Sequence, residues 1–175
     1  MSWILTASGR HFNYHDPRPA DIHILDIAQG LANECRFSGQ GRAFYSVAQH
    51  AWLVSHTVPR EFALEGLLHD AAEAYCKDIP SPLKALLPDY RDIEARTDLT
   101  IRATFGLPLV MSPTVKHADL ILLATERRDL MPADPAPWAI LDGIDPLPRK
   151  IIAVQPGRAM AQFLKRYIEL TERRA

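Results

Sequence analysis

Apolar residues in this chain recur at three- and four-residue intervals nearly throughout, and period two is confined to the first fourteen residues. Three-to-four spacing puts apolar side chains on one stripe of a helix, and alternation puts them on one face of a strand. A chain patterned this way can only build its core from packed helices. The two β-like runs are Trp3 to Thr6 and His11 to Tyr14, with Ala7-Ser8-Gly9-Arg10 as the turn between them. They predict a short N-terminal hairpin.

The helical segments follow in order. Ile24, Ile27, Ala28, Leu31 and Ala32 mark the first, with Asp21 as its cap. Ser38-Gly39-Gln40-Gly41 forms a loop. Ser46 caps a second helix carrying Val47, His50, Ala51 and Val54, which Pro59 ends. A third is expected from Arg60 to Tyr75 as one continuous element. A short helix near Leu83 to Leu87 follows the prolines at 80 and 82. Another spans Asp89 to Phe105 and stops at Gly106. Ser112-Pro113 opens a helix reaching about Met131. The segment 132–148 holds five prolines and is read as a surface loop. A last helix is expected over 155–173. With 175 residues there is room for one compact domain and little more. The expectation is a single all-α helical bundle with a short β-hairpin, its core over about 22–131.

Charge and cysteine use exclude several classes. A formal net charge of -1 gives no field to hold a nucleic-acid polymer. Cys35 and Cys76 are isolated, so neither a disulfide framework nor a zinc-thiolate site is expected. No apolar run reaches membrane-spanning length, and the N-terminus lacks the basic region of a secretory signal. A cytoplasmic location with no membrane partner is the expectation.

Polar residues stand where the helical pattern predicts burial. His50 lies between Val47 and Val54. His69 and Asp70 interrupt Leu67-Leu68-His69-Asp70-Ala71-Ala72, and Asp119 precedes Leu120-Ile121-Leu122-Leu123. Burying an unpaired carboxylate costs several kcal/mol. One cation shared by Asp70 and Asp119 removes much of that cost. Two imidazoles and two carboxylates suit a divalent ion of borderline hardness. Each residue alone also has a structural reading. His50 could be a hydrogen-bonded core histidine, and Asp119 could pair with Lys116. Glu73 follows Asp70 by three residues and shares its face.

The ordered set resembles the HD-domain superfamily of metal-dependent phosphohydrolases. It is most similar to the branch containing bacterial 5'-deoxynucleotidases and phage dATP triphosphohydrolases. The block from His69 to Lys84 carries the resemblance most specifically: His69-Asp70-Ala71-Ala72-Glu73, then Lys77-Asp78-Ile79-Pro80-Ser81-Pro82-Leu83-Lys84. Tyr90-Arg91-Asp92-Ile93-Glu94 and Val115-Lys116-His117-Ala118-Asp119 add to it. The likeness covers roughly Cys35 to Asp129.

The resemblance implies an HD-domain fold with His50, His69, Asp70 and Asp119 as metal ligands. The metal would be one divalent transition ion, Co, Mn or Zn, with Mg as a further option. Glu73 and Asp78 are implied as catalytic groups, without deciding which is the base. Arg36, Phe37, Lys84 and Lys116 are implied substrate contacts, and Phe37 stands where that branch has Trp. The substrate would be a deoxynucleotide cleaved at its 5'-phosphate, as a monophosphate or a triphosphate, and the protein a homo-oligomer. Two rival readings stay open: another HD phosphohydrolase acting on guanosine tetraphosphate or a cyclic nucleotide, and a non-catalytic metal- or nucleotide-binding module.

Overall fold

The computed structural model describes residues 1–172. Strands β1 (Trp3–Leu5) and β2 (His11–Asn13) pair antiparallel, with Ile4 opposite Phe12. Eight α-helices follow among the described residues: α1 (Ile24–Asn33), α2 (Val47–Thr57), α3 (Ala63–Leu68), α4 (Glu73–Cys76), α5 (Ser81–Lys84), α6 (Pro88–Thr104), α7 (Pro113–Leu130) and α8 (Pro156–Thr171). The expected mostly helical fold with an N-terminal hairpin is what the chain adopts. The last helix begins at Pro156, and residue 173, where it was expected to end, lies outside the described residues.

Helix α2 is the hub, with α1, α3, α7 and α8 packed around it. Its Ser46 cap accepts from the Gln49 amide at 3.2 Å, as that residue type predicts. Ile27, Leu31, Val47, Ala51, Val54, Leu67, Leu122 and Phe163 are fully buried. Each large one contributes roughly 1.5–3 kcal/mol relative to exposure. Polar side chains then fix the geometry between helices. Arg166 on α8 donates to Ser55 Oγ and to the Ser55 carbonyl at 3.0 Å each. Gln49 holds the strap before α8 through the Ile152 carbonyl and the Val154 amide. Glu65 on α3 accepts from the Ser112 amide at 2.7 Å, which ties the start of α7 to the bundle.

The hairpin is docked rather than loose. Both the amide and the hydroxyl of Ser8 donate to Asp26 in the first turn of α1, at 2.7 Å each. Phe12 stacks on Tyr75 with centroids 4.1 Å apart, and the Tyr14 hydroxyl donates to the Tyr75 carbonyl at 2.7 Å.

Three expectations about local structure are corrected. The α1 cap is His23, whose Nδ1 accepts from the Leu25 amide, because Asp21 ends a separate one-turn element at Pro19–Asp21. The short helix near residue 83 begins earlier, at Ser81. The third helix is not continuous over Arg60 to Tyr75. It opens as a tight turn at Arg60–Phe62, runs as α3, breaks over residues 69–72 and resumes as α4. Through the break the amides of Ala71, Glu73, Ala74 and Tyr75 bond three residues back instead of four. The cause is visible at Gly66, whose carbonyl is taken by the His69 ring at 2.9 Å. A side chain that claims a helical carbonyl loosens the four-residue ladder.

Candidate metal centre

His50 comes from the first turn of α2 and has no exposed surface. His69 and Asp70 come from the break after α3, and Asp119 from the second turn of α7. The four side chains converge. His50 Nε2 lies 3.2 Å from His69 Nε2, 3.3 Å from Asp119 Oδ1 and 3.5 Å from Asp70 Oδ2. His69 Nε2 is 3.1 Å from Asp70 Oδ2 and 3.9 Å from Asp119 Oδ1. Donors bound about 2.1 Å from one ion, at right or tetrahedral angles, are roughly 3.0–3.4 Å apart. Most of these separations lie near that range, so the residues could hold a single divalent cation. His50, His69 and Asp119 form a group that could hold one, and Asp70 joins through its contacts to both imidazoles.

The imidazoles are oriented by their far nitrogens. His50 Nδ1 donates to Glu126 Oε1 at 2.6 Å, and His69 Nδ1 donates to the Gly66 carbonyl at 2.9 Å. Each ring thus turns Nε2 toward the cluster. A carboxylate or carbonyl behind a metal-binding histidine is the usual support for such a site. Sequence reasoning misses Glu126. It stands seven residues, two helical turns, after Asp119, so it lies on the same face of α7, and that spacing is the signal that could have found it. Arg36 in turn donates to Glu126 Oε2 at 3.2 Å and lies 3.6 Å from Asp70 Oδ2.

The electrostatics follow from this arrangement. Burial and Arg36 oppose charge on His50, but Glu126 and Asp119 outweigh them, and its pKa is pushed up to about 9. Burial disfavours the charged forms of Asp70 and Asp119, yet the histidines hold both well below the usual carboxylate range. Glu73 behaves oppositely. Burial, then the charges of Asp70 and Asp78, push it well above its ordinary value. Its Oε2 is buried without a hydrogen-bond partner. Asp78 is also raised, mainly by burial.

A cavity of about 650 Å³ opens over the cluster, lined by Arg36, Phe37, Asp70, Glu73, Asp78, Lys84, Lys116 and Asp119 among others. All six residues singled out beside the ligands therefore reach one space. Some are also engaged within the protein. Lys84 donates to Glu94 at 2.7 Å, and Lys116 donates to Asp119 Oδ2 at 2.8 Å. Arg36 is bound to Glu126. Phe37 is half-buried on the cavity wall rather than in the core. A second cavity of about 630 Å³, more polar, lies on the other side of Asp70, Glu73 and Lys84, which line both.

Fold and site together define a helical protein with a buried His-His-Asp group suited to a divalent cation. No family model matches the chain. It is 54% identical over 175 residues to the uncharacterized protein YfdR of Escherichia coli (strain K12), spanning 99% of this chain and 98% of that one. It belongs to the same family as YfdR. It is also 38% identical over 127 residues to the uncharacterized protein RCAP_rcc00048 of Rhodobacter capsulatus, spanning 67% of this chain and 65% of that one. Among the described residues no helix is long and apolar enough to cross a membrane.

Proposed function

We propose that the protein is a metal-dependent phosphohydrolase of the HD-domain type, cleaving deoxynucleotides at the 5'-phosphate. One observation carries this reading: His50, His69 and Asp119 converge with Asp70, and Asp70 and Asp119 line a cavity shared with buried Glu73, half-buried Asp78 and two lysines. The donor chemistry favours Mn, Co or Zn, with Mg as a harder alternative. Bound there, such an ion would acidify water and act as a Lewis acid toward a phosphoryl oxygen.

The protein's own groups supply the rest. Lys84 and Lys116 bring positive charge to the cavity, where it favours an anionic ester. Burial and its acidic neighbours push Glu73 above the ordinary carboxylate range, which suits a group that gives a proton as well as takes one. Asp78, also raised by burial, is the companion group for the opposite proton transfer. Arg36 keeps Glu126 and Asp70 in register and holds charge at the base of the cavity. A site that only bound a cation structurally would need neither an orphaned carboxyl nor a cavity beside it.

The test is hydrolysis of dNMPs, dNTPs and their ribo forms by protein loaded in turn with Mn, Co, Zn and Mg. Products resolved by ion-exchange chromatography separate phosphate release from tripolyphosphate release. Inactivity with all four metals overturns the proposal. Asp70→Ala is expected to abolish whatever activity is found.

A further inference from the structure

The cavity has a mixed lining. Asp70 and Asp119 of the donor cluster, Glu73, Asp78 and the two lysines are polar, and Phe37, Leu120, Leu123, Trp138 and Ile140 are apolar. Leu120 and Leu123 are on α7, immediately after Asp119. Trp138 and Ile140 come from the Pro-rich loop, 132–148, which sequence reasoning treats as mere surface connection.

That loop is a built wall. Arg127 donates to the carbonyls of Asp134 and Ala136. Arg128 donates to the carbonyls of Leu147 at 2.6 Å and Arg149 at 3.2 Å. Thr125 Oγ1 accepts from the Leu147 amide at 2.9 Å. All of these anchors lie in the last turns of α7, beside Glu126. The wall is therefore fastened to the same helix that carries Asp119.

The two aromatic rings are held individually. The Arg127 guanidinium covers Trp138 at 5.1 Å, and Arg36 covers Phe37 at 5.4 Å. Phe37 has a left-handed backbone, φ 57° and ψ 31°, costly for a non-glycine residue and therefore imposed by its surroundings. The ring centroids are 6.4 Å apart at 54°, so the rings do not stack on each other. A half-buried tryptophan that faces a cavity unstacked, with a cation behind it, is a platform for a flat aromatic ligand.

We infer that Trp138 is the residue on which the nucleobase stacks, with Phe37 as the flanking wall, while the 5'-phosphate lies at the donor cluster. This rests on the phosphohydrolase reading and adds a specificity-determining residue to it. Stacking on an aromatic side chain is worth about 10- to 100-fold in affinity per base.

The experiment compares wild type, Trp138→Phe and Trp138→Ala on deoxynucleotides and on 2-deoxyribose 5-phosphate, which has no base. Turnover is measured with Mn, and nucleotide binding is measured separately by calorimetry. Trp138→Ala is expected to raise KM for nucleotides about 10- to 100-fold with little change in kcat, leaving the base-free ester unaffected. Trp138→Phe restores most of the loss. Nucleotide is also expected to quench wild-type tryptophan fluorescence and to lose that quench in Trp138→Phe, while calorimetry still detects binding. Equal effects of Trp138→Ala on nucleotides and on 2-deoxyribose 5-phosphate overturn the inference and leave the phosphohydrolase reading intact. Binding without turnover in wild type overturns that reading, and the calorimetric loss in Trp138→Ala still decides the role of Trp138. Absence of both binding and turnover overturns both.

Discussion

Nδ1 of His50 lies 2.6 Å from Oε1 of Glu126, and neither side chain has any exposed surface. The carboxylate can only accept, so the imidazole proton is held on Nδ1 and Nε2 is left as the donor to a cation. Glu126 is thus a positioning residue. Glu126→Gln keeps the shape and removes the charge. It is expected to weaken Mn or Zn binding about 10- to 100-fold, measured by calorimetry, while the fold persists. Unchanged affinity would show that His50 needs no support from α7. Glu126→Ala should also lower stability by about 3–5 kcal/mol, because it leaves Arg36 buried beside an empty space.

A cation that binds the folded chain and not the unfolded one must stabilise it. At a free concentration about one hundred times Kd the gain is about 2.7 kcal/mol. For a domain of this size that is roughly 5–11 °C in Tm. Scanning calorimetry with and without chelator should show the shift, and Asp70→Ala should remove most of it. A Tm indifferent to Mn, Co, Zn and chelator would sink the assignment of these four residues as a metal site.

Much of this is legible in the sequence. Ser46 before Val47 and Ser112 before Pro113 are strong local signals, and α2 and α7 begin where they stand. Those two helices carry His50 and Asp119, so the placement of these two residues follows from caps and periodicity. The break at His69 was not legible. Leu67, Leu68, Ala71 and Ala72 fit a four-residue ladder as well as a tightened one, and the choice is made by a ring nitrogen reaching the Gly66 carbonyl. Trp138 was hidden for a different reason. Its position depends on Arg127 and Arg128 binding loop carbonyls, a tertiary event that no period encodes. The HD-like resemblance points to the four converging residues and to Glu73 and Asp78 but is silent on Glu126, which only the spacing from Asp119 reveals.

Lys77 ends α4 with φ 78° and ψ 152°, a region that is essentially glycine's own. It is held there from several sides. Its amide donates to the Glu73 carbonyl at 2.9 Å, and its carbonyl accepts from the Tyr90 hydroxyl at 2.8 Å. The turn reverses the chain so that Asp78, the next residue, reaches the cavity. Replacing Lys77 by Gly or by Ala removes the same exposed ion pair to Glu34, so comparing the two isolates the backbone. Lys77→Gly is expected to be more stable than Lys77→Ala by about 1–3 kcal/mol, read from urea midpoints. Equal midpoints would mean that the turn is unstrained.

Gly30 couples the fold to the site. In most helix interiors Gly→Ala stabilises by about 0.5–1 kcal/mol. Here a Cβ would stand 2.7 Å from the backbone carbonyl oxygen of Ala74 on α4, an atom that cannot turn aside. Helices α1 and α4 must then separate. Gly30→Ala is expected to cost about 1–3 kcal/mol, opposite in sign to the usual exchange. Ala74 directly follows Glu73, so the same displacement moves that carboxyl from its place beside Asp70, and kcat should fall along with Tm. Gly157 is the control, because a Cβ there meets nothing within 4 Å and Gly157→Ala should leave both unchanged or raise Tm slightly. A Gly30→Ala protein as stable as wild type would show that α4, and Glu73 with it, has room to shift.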